Sequence, residues 1–234
     1  MRSVLPLPDL RERSREGELL DIGVPESEAA RSLADLRFVN RWLGGRRSLL
    51  PAVAPYLREG GRLLDVGSGS ADLPHWIARA NGARVLAVAV DLKIAHLREA
   101  PSGVQRVVAD VRALPFPSRA FDVVTASAFL HHFDEGEIAE VIRSLFDRAR
   151  RALVVNDLHR SHVPLLFGRA FFPLLFRSPV SVSDGMVSLR RAFRPAELRA
   201  AFVRAGIPWV RIRRRFPYRL VAVAERPREG GAGA

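Results

Sequence analysis

The chain has 234 residues, no cysteine and a formal net charge of +12, and 48% of its residues are hydrophobic. This length accommodates one full α/β domain with a sizeable core, and the missing cysteine excludes disulfides, thiolate catalysis and zinc sites built on Cys. The positive charge comes from arginine, because Lys93 is the only lysine. These arginines are mostly scattered along the chain, which favours a solvated basic surface over a nucleic-acid interface.

The first sixty residues are polar and predict helices. We expect a first helix around Arg11–Leu20. A second helix carries an apolar face at helical spacing, formed by Leu33, Leu36, Val39, Trp42 and Leu43. Gly44 and Gly45 are expected to end it. Residues 1–58 are therefore predicted to form a helical cap, and because no apolar stretch of signal-peptide length is found, we expect a cytoplasmic protein.

From residue 62 onward, short apolar runs alternate with helical stretches. Five aliphatic runs predict parallel strands that are buried on both faces: "RLLDVG", "RVLAVAVD", "VQRVVADV", "FDVVTASAF" and "RALVVNDL". The last two runs, "WVRIRRRFP" and "YRLVAVAE", alternate and predict an antiparallel hairpin at the sheet edge. Residues 59–226 are thus predicted to form a Rossmann-like, doubly wound α/β domain with a mostly parallel seven-stranded sheet, and residues 227–234 a disordered tail.

An insertion of about residues 160–190 follows the fifth strand and contains the apolar run "VPLLFGRAFFPLLF". This run is shorter than a membrane span and is interrupted by Gly168, Arg169 and Pro173. We interpret it as a lid or pocket wall, and it leaves peripheral membrane contact as the alternative. The aromatic residues expected to face the pocket are Phe171, Phe172 and Phe176.

The stretch "LLDVGSGSADLP", residues 63–74, places a glycine-rich loop after the first strand. A nucleoside-triphosphate loop of the Walker type needs a lysine after its last glycine, and none follows here. A dinucleotide loop needs a third glycine where this chain has Asp72, whose carboxylate would repel a pyrophosphate. S-adenosylmethionine has no phosphate, and its sulfonium and ammonium groups favour nearby carboxylates. The loop therefore predicts S-adenosylmethionine as cofactor and S-adenosylhomocysteine as product.

The loop and three later motifs resemble the class I S-adenosylmethionine-dependent methyltransferases. Asp65 precedes the pattern Gly67-x-Gly69, although Ala71 replaces the third glycine of the family pattern. The later motifs are "AVAVD", which ends on Asp91, "VVADVRALPFPSRAFDVV" and "ASAFLHHF". The resemblance implies that Asp91 binds the ribose hydroxyls, that Asp110 accepts from the adenine amino group, and that Val111 offers its backbone. The other cofactor-binding residues that we predict are Ser68, Asp72, Leu92 and Ser127.

Three further stretches are similar to quinone-biosynthesis methyltransferases and to enzymes found beside polyketide synthases. They are "RFVNRWLGGRR", "VVNDLHRS" and "SLRRAFRPAELRAAFVRAGI". This resemblance implies methyl transfer to a small, aromatic or polyketide-like acceptor at oxygen or carbon. One alternative is an RNA or protein methyltransferase, suggested by the basic charge, and another is a cofactor-binding protein without transferase activity. Since "ASAF" stands where enzymes that methylate nucleic-acid amino groups carry an "NPPY"-type motif, we do not expect a nucleic-acid partner. We expect a monomer or a homodimer.

The candidate general bases are His131 and His132, which follow the fourth strand at the edge where such sheets bind ligands. Neighbouring residues are not expected both to face the pocket, and the resemblance favours His132. The predicted substrate-binding residues come from the N-terminal cap and the end of the fifth strand: Asn40, Arg41, Trp42, Asn156, Asp157 and His159. No metal site is predicted, because the histidines have no recognised ligand spacing.

Overall fold

The computed structural model describes residues 9–80 and 84–227. Seven strands form one sheet: β1 (Arg62–Val66), β2 (Leu86–Asp91), β3 (Val104–Val108), β4 (Phe121–Ser127), β5 (Ala149–Leu158), β6 (Arg211–Arg215) and β7 (Arg219–Glu225). Their order is β3-β2-β1-β4-β5-β7-β6. The five strands from β3 to β5 pair in parallel, and β7 pairs antiparallel with both β5 and β6. The predicted Rossmann-like sheet with an antiparallel edge hairpin is confirmed.

Nine α-helices are seen in the described part of the chain: α1 (Leu19–Ile22), α2 (Glu26–Trp42), α3 (Gly45–Val53), α4 (Asp72–Ala80), α5 (Ile94–Arg98), α6 (Ile138–Arg148), α7 (His162–Leu175), α8 (Pro179–Arg191) and α9 (Pro195–Arg204). Apolar side chains of α6 and α9 pack on one face of the sheet, and those of α3 and α4 pack on the other. The central strands are therefore covered on both faces, which explains their continuous apolar sequences. The predicted tail lies, apart from residue 227, outside the described residues.

The helix predicted around Arg11–Leu20 is wrong for most of that segment, because α1 covers only Leu19–Ile22. Residues 13–18 have no regular secondary structure. They are held by the rest of the molecule instead: the guanidinium of Arg13 donates to the carbonyls of His131 and Arg191, and the amide of Ser14 donates to the carbonyl of Arg190. These tertiary contacts outweigh a helical preference that is weak in any short polar segment.

The insertion after β5 forms two helices, α7 and α8, which pack against each other through Leu165, Phe172 and Leu189. Residues of the two helices line a cavity at one end of the sheet, and so do residues of α2. Among the described residues, no helix combines the length and apolar character needed to cross a bilayer.

Candidate active site

The cavity lies where the strand order reverses, at the carboxyl ends of β1 and β4. In open α/β sheets, ligands bind at this position. The cavity has a volume of about 570 Å³, which is within the usual range for small-molecule sites. Nine of the predicted site residues line it: Trp42, Gly67, Gly69, Asp91, Leu92, Asp110, Val111, His131 and His132. The sheet edge therefore brings together residues from four separate sequence motifs.

The glycine-rich loop depends on the absence of a side chain at Gly67. Its φ is +67°, and a Cβ built there would lie 2.0 Å from the ring of Phe129. Asp65 lies beneath the loop, where it accepts hydrogen bonds from Ser68 Oγ (2.5 Å) and Thr125 Oγ1 (2.6 Å). Burial raises the pKa of the Asp65 carboxyl to about 6, although these two hydroxyls partly oppose the shift. Asp65 and Ser68 are not among the residues that line the cavity, so they shape the loop from behind.

Asp91 joins the end of β2 to the glycine-rich loop. Its carboxylate accepts from the amides of Gly69 (2.8 Å) and Lys93 (2.9 Å), and His96 Nδ1 lies 3.2 Å from it. An ionised carboxylate can accept about four hydrogen bonds, so capacity remains for hydroxyl groups of a ligand. Asp110 lies in the next βα loop, where it caps a single 3₁₀ turn by accepting from the amide of Arg112.

Asp72 was predicted to contact the cofactor, and the structure gives it another role. Its buried carboxylate accepts from Asn40 Nδ2 (2.9 Å) and pairs with Arg46 (3.5 Å), so it ties α4 to the N-terminal cap. Asn40, predicted to bind substrate, is used in the same contact. Neither residue is among the described residues that line the cavity, and their contact joins α2 to α4.

Five more predicted residues are not among the described residues that line the cavity: Arg41, Ser127, Asn156, Asp157 and His159. Asn156 Nδ2 donates to Ser127 Oγ (3.0 Å), which links β5 to β4 inside the sheet. Arg41 lies over the ring of Trp42 on the surface. His159 pairs with Phe193 in an isolated bridge beyond the end of β5. Asp157 lies directly behind His131 and is described next.

His131 is buried between two carboxylates. Its Nδ1 lies 2.7 Å from Asp157 Oδ1, and its Nε2 lies 3.2 Å from Glu18 Oε1. Burial by itself lowers the pKa of the imidazolium, but the charges and hydrogen bonds of Asp157 and Glu18 outweigh it and raise that pKa to about 9. Burial likewise opposes ionisation of Asp157, yet His131 brings the pKa of this carboxyl down to about 2. His131 is therefore protonated at neutral pH, and both of its N–H groups donate to carboxylates.

His132 has a different set of partners. Its Nδ1 lies 2.6 Å from Asp21 Oδ2, and its side chain lines the cavity. Burial alone would raise the pKa of Asp21, but the hydrogen bond and charge of His132 lower it. An ionised carboxylate only accepts, so His132 donates its Nδ1 proton to Asp21, and its Nε2 faces Glu18 Oε2 at 3.9 Å.

Both histidines are among the lining residues, and their rings stack with centroids 4.4 Å apart. The His131 side chain is only 2% exposed, and that a single histidine faces the pocket stays a prediction. The pair lies in the single 3₁₀ turn Leu130–His132, in which successive side chains diverge by about 120°. Arg191 fixes this turn by donating to the carbonyls of both histidines.

Glu18 and Asp21 are the site residues that sequence reasoning missed. They lie more than a hundred residues before the histidines that they contact, in a segment with no motif. Burial works against ionisation of Glu18, but its hydrogen bond to His131 and the charge of His132 lower its pKa. Ser188 of α8 also donates to Glu18 (2.6 Å), so the lid is connected to the histidine pair.

The lid supplies aromatic walls. Phe172 and Phe176 line the cavity as expected, and their rings lie 4.6 Å apart. Phe171, the third predicted wall residue, is 46% exposed and is not among the lining residues. Phe167, one turn earlier on α7, lines the cavity instead, and its ring lies 4.8 Å from that of Phe171.

Glu18, His131 and His132 also form a group whose ligand atoms lie within 4.8 Å of one another, which is close enough to hold a metal ion. Spacing along the sequence gave no sign of this group, because Glu18 comes from the N-terminal cap. In the structure, His131 Nε2 is hydrogen-bonded to Glu18. That the site works without a metal stays a prediction.

The cavity suits a cationic, phosphate-free cofactor. Six of the described residues that line it are carboxylates: Glu18, Asp21, Asp35, Asp91, Asp110 and Asp184. These six carboxylates outnumber the four cations that also line the cavity, which are Lys93, Arg112, Arg219 and the protonated His131. The balance favours a sulfonium and an ammonium group over a pyrophosphate. Gly67 lines the cavity, and the ring of Phe129 fills the space that a Cβ would take there. The residues present therefore fit S-adenosylmethionine, and Asp91 and Asp110 are among the carboxylates that line the cavity.

Comparison with known proteins agrees with this assignment. Residues 63–152 match the model of a family described as a methyltransferase domain. No curated protein sequence matches the chain. Among solved structures, an S-adenosylmethionine-dependent methyltransferase from Aquifex aeolicus is similar with a TM-score of 0.62 and 16% identity, over 87% of this chain and 99% of that one.

Two further structures are similar at low sequence identity. Human N-acetylserotonin methyltransferase, in complex with S-adenosylmethionine, gives a TM-score of 0.64 and 14% identity, over 86% of this chain and 56% of that one. Magnesium protoporphyrin IX methyltransferase from Synechocystis, with bound S-adenosylhomocysteine, gives 0.55 and 20%, over 79% of this chain and 83% of that one. These likenesses show the fold, and the methyltransferase-domain match over residues 63–152 supports the activity. The chain therefore has the Rossmann-like class I fold and is an enzyme that uses S-adenosylmethionine for methyl transfer.

Proposed function

We propose that the protein methylates a small, apolar acceptor of aromatic or polyketide-like structure, at oxygen or carbon. The observation that carries this proposal is the pairing of a cavity of about 570 Å³ with aromatic walls and a histidine–carboxylate pair on its surface. Phe129, Phe167, Phe172 and Phe176 suit a flat apolar molecule, which would lie against their rings. The cavity volume suits a small molecule better than a segment of RNA or protein.

His132 is the general base in this proposal. When bound, the cofactor supplies an electrophilic methyl group on its sulfonium. The chain's own task is to position the acceptor and to remove its proton, since a phenol has a pKa near 10 and is a weak nucleophile while protonated. His132 lines the cavity, and its Nε2 is the nitrogen not used by Asp21. Asp21 on Nδ1, and Glu18 at 3.9 Å from Nε2, stabilise the imidazolium that forms when His132 takes up a proton.

His131 acts as a positioning residue. It is already protonated, and Asp157 and Glu18 accept both of its N–H groups. Its ring stacks on His132 and fixes the plane of the base. Asp157 and Glu18 therefore contribute through His131, and we include Asp157 among the residues that support acceptor binding indirectly.

The test is a transfer assay with methyl-labelled S-adenosylmethionine and three acceptor classes. These are phenols and hydroxyquinones of graded size and alkyl-chain length, total transfer RNA, and a mixture of basic proteins. We expect label in one or more of the aromatic compounds and none in the macromolecules. Transfer to RNA or protein alone would contradict the proposal. Binding of S-adenosylhomocysteine without any transfer would favour a cofactor-binding protein.

The same assay is run after dialysis against a chelator. We expect unchanged turnover, because a histidine–carboxylate base needs no metal. Loss of turnover that a divalent cation restores would assign an ion to Glu18, His131 and His132, where the ligand atoms are close enough to hold one.

A further inference from the structure

Exposed apolar side chains surround the mouth of the cavity. Trp42 and Phe216 line the cavity and are nevertheless 63% and 78% exposed. Phe171 and Leu174 on α7 are 46% and 79% exposed. We call these four residues the apolar rim. Single exposed apolar residues are ordinary on protein surfaces, whereas a group of large ones around one opening marks an interaction site.

The rim is continuous from α7 to the turn between β6 and β7. The ring of Phe171 lies 4.8 Å from that of Phe167, and the ring of Phe167 lies 6.3 Å from that of Tyr218. Tyr218 follows Phe216 by two residues in the turn. The lid helix and the turn are therefore neighbours at the cavity mouth.

The same turn contacts the end of α2. A Cβ built on Gly44 would lie 2.9 Å from Pro217 Cδ and 3.4 Å from the carbonyl oxygen of Phe216. Trp42 precedes Gly44 by two residues and also lines the cavity. The rim therefore joins three elements, α2, α7 and the β6–β7 turn, on one side of the molecule.

The outer face of α7 extends this apolar surface. Val163, Leu166 and Leu174 are 59%, 50% and 79% exposed, and their spacing places them on one side of the helix. Leu165 and Phe172, on the opposite side, are buried in the lid core. This helix thus has apolar residues on both its buried and its exposed faces.

Exposed arginines without acidic partners lie on the elements that carry the rim or next to them along the chain. The set comprises Arg41, Arg169, Arg177, Arg213, Arg214 and Arg215. None of them forms an ion pair with a carboxylate of residues 9–80 or 84–227. The sequence contains no Asp or Glu from residue 158 to 183 or from 198 to 224. The surface around the rim is therefore strongly positive as well as apolar.

We propose that the apolar rim and its arginines bind the surface of an anionic lipid bilayer. Apolar side chains that enter the acyl boundary, with cations at the level of the headgroups, are the two features of interfacial binding. A second copy of the chain is a poorer partner for this surface, because the six arginines of one copy would face the six arginines of the other and repel them. Nucleic acid is also a poorer occupant, because Leu166 and Leu174 offer neither stacking nor hydrogen bonds to bases.

The cavity would then open toward the lipid, and an acceptor with an apolar tail could enter without crossing water. This consequence depends on the proposed acceptor class, whereas bilayer binding itself does not. The two are therefore tested separately, and failure of vesicle binding would leave the transfer assay unaffected.

The experiment measures co-sedimentation of the full chain with phosphatidylcholine vesicles that contain phosphatidylglycerol, compared with pure phosphatidylcholine vesicles. We expect binding to the anionic vesicles that weakens as salt is added. The variant R213E/R214E/R215E should bind at least about tenfold more weakly, since each cation near an anionic surface contributes about fivefold. The matched control R58E/R62E/R79E reverses three exposed arginines at the start of β1 and the end of α4, on the side of the sheet away from the cavity. It should bind like wild type, because salt screens charges at that distance.

A second variant and an optical signal test the apolar contact. L166S/L174S changes two exposed side chains, so the variant should fold normally. It should lose the part of vesicle binding that remains at high salt in wild type. Trp42 should shift its emission to shorter wavelength when vesicles are added, and W42F should lose that shift. Equal loss of binding in both arginine triples, or no vesicle binding by wild type, would overturn the proposal. Tighter binding to duplex RNA than to vesicles, through the same arginines, would also overturn the proposal. So would a wild-type dimer that does not bind vesicles and that L166S/L174S converts to a monomer.

Discussion

At the scale of single residues, two neighbouring histidines acquire different roles from their carboxylate partners. His131 lies between Glu18 and Asp157, and both of its nitrogens are occupied. His132 has Asp21 hydrogen-bonded to Nδ1, whereas its Nε2 lies 3.9 Å from Glu18 Oε2, beyond hydrogen-bond distance. A histidine that donates both protons cannot accept another, whereas one with a single hydrogen-bonded carboxylate has the arrangement of a general base.

Replacement of His132 by alanine is therefore expected to lower kcat by a factor on the order of 10² to 10⁴, the usual contribution of a general base. Affinity for S-adenosylhomocysteine should stay unchanged, because the cofactor contacts predicted from the sequence lie on other loops. Turnover and calorimetric titration measure the two effects. His75→Ala is the matched control, since His75 lies on α4 and is not among the residues that line the cavity. Full turnover of His132→Ala would remove this residue from the mechanism.

At the scale of elements, the β1–α4 loop shows how one missing side chain shapes the site. Gly67 has a positive φ and packs against the ring of Phe129, which follows β4. The loop thus fits against the neighbouring βα connection, and the backbone remains open toward the cavity. The glycine pattern predicted the loop from the sequence, but only the fold shows that Phe129 makes the glycine necessary.

Gly67→Ala is expected to destabilise the protein by about 1–2 kcal/mol for the left-handed backbone and by a further 1–3 kcal/mol or so for overpacking against Phe129. Gly60→Ala separates the two causes, because Gly60 has a φ of +72° and no atom within 4 Å of the added Cβ. Urea unfolding gives both stabilities, and titration with S-adenosylhomocysteine should show loss of binding for Gly67→Ala alone. Equal losses of unfolding free energy in the two variants would mean that overpacking against Phe129 adds nothing to the destabilisation by Gly67→Ala.

At the scale of the whole molecule, buried charges link the N-terminal cap, the sheet and the lid. Glu18 comes from the cap, His131 from the end of β4, Asp157 from β5 and Ser188 from α8. Breaking a buried ion pair is costly because it leaves a charge without a partner in a medium of low polarity. Global stability should therefore depend on the protonation of this group.

Because the pKa of His131 is raised from 6.5 to about 9, its contribution to stability is complete below pH 6.5 and is lost as pH rises through 9. Asp157 acts in the opposite sense: its contribution is complete above pH 3.8 and is lost as pH falls through about 2. We expect the difference in unfolding free energy between wild type and Asp157→Asn to be largest between about pH 4 and 6.5 and to shrink toward pH 9. Urea unfolding at each pH measures it.

Glu135→Gln provides the control for this pH series, because Glu135 is an exposed carboxylate in the loop before α6. Its stability curve should run parallel to that of wild type. A constant difference between Asp157→Asn and wild type from pH 5 to pH 9 would show that Asp157 contributes by packing and not by its charge interaction with His131.

The sequence by itself determined the sheet, the glycine-rich loop, the positions of Asp91 and Asp110 at strand ends, and the pair His131 and His132. Each of these is a local pattern, because strand periodicity, turn glycines and motif spacing are written within a few residues of one another. Only the tertiary structure decided that Glu18 and Asp21 contact the histidines and that Asn40 donates a hydrogen bond to Asp72. It also decided that Phe167, and not Phe171, lines the cavity. Contacts between residues a hundred positions apart depend on how the cap and the lid pack against the sheet, and no local pattern in the sequence encodes that packing.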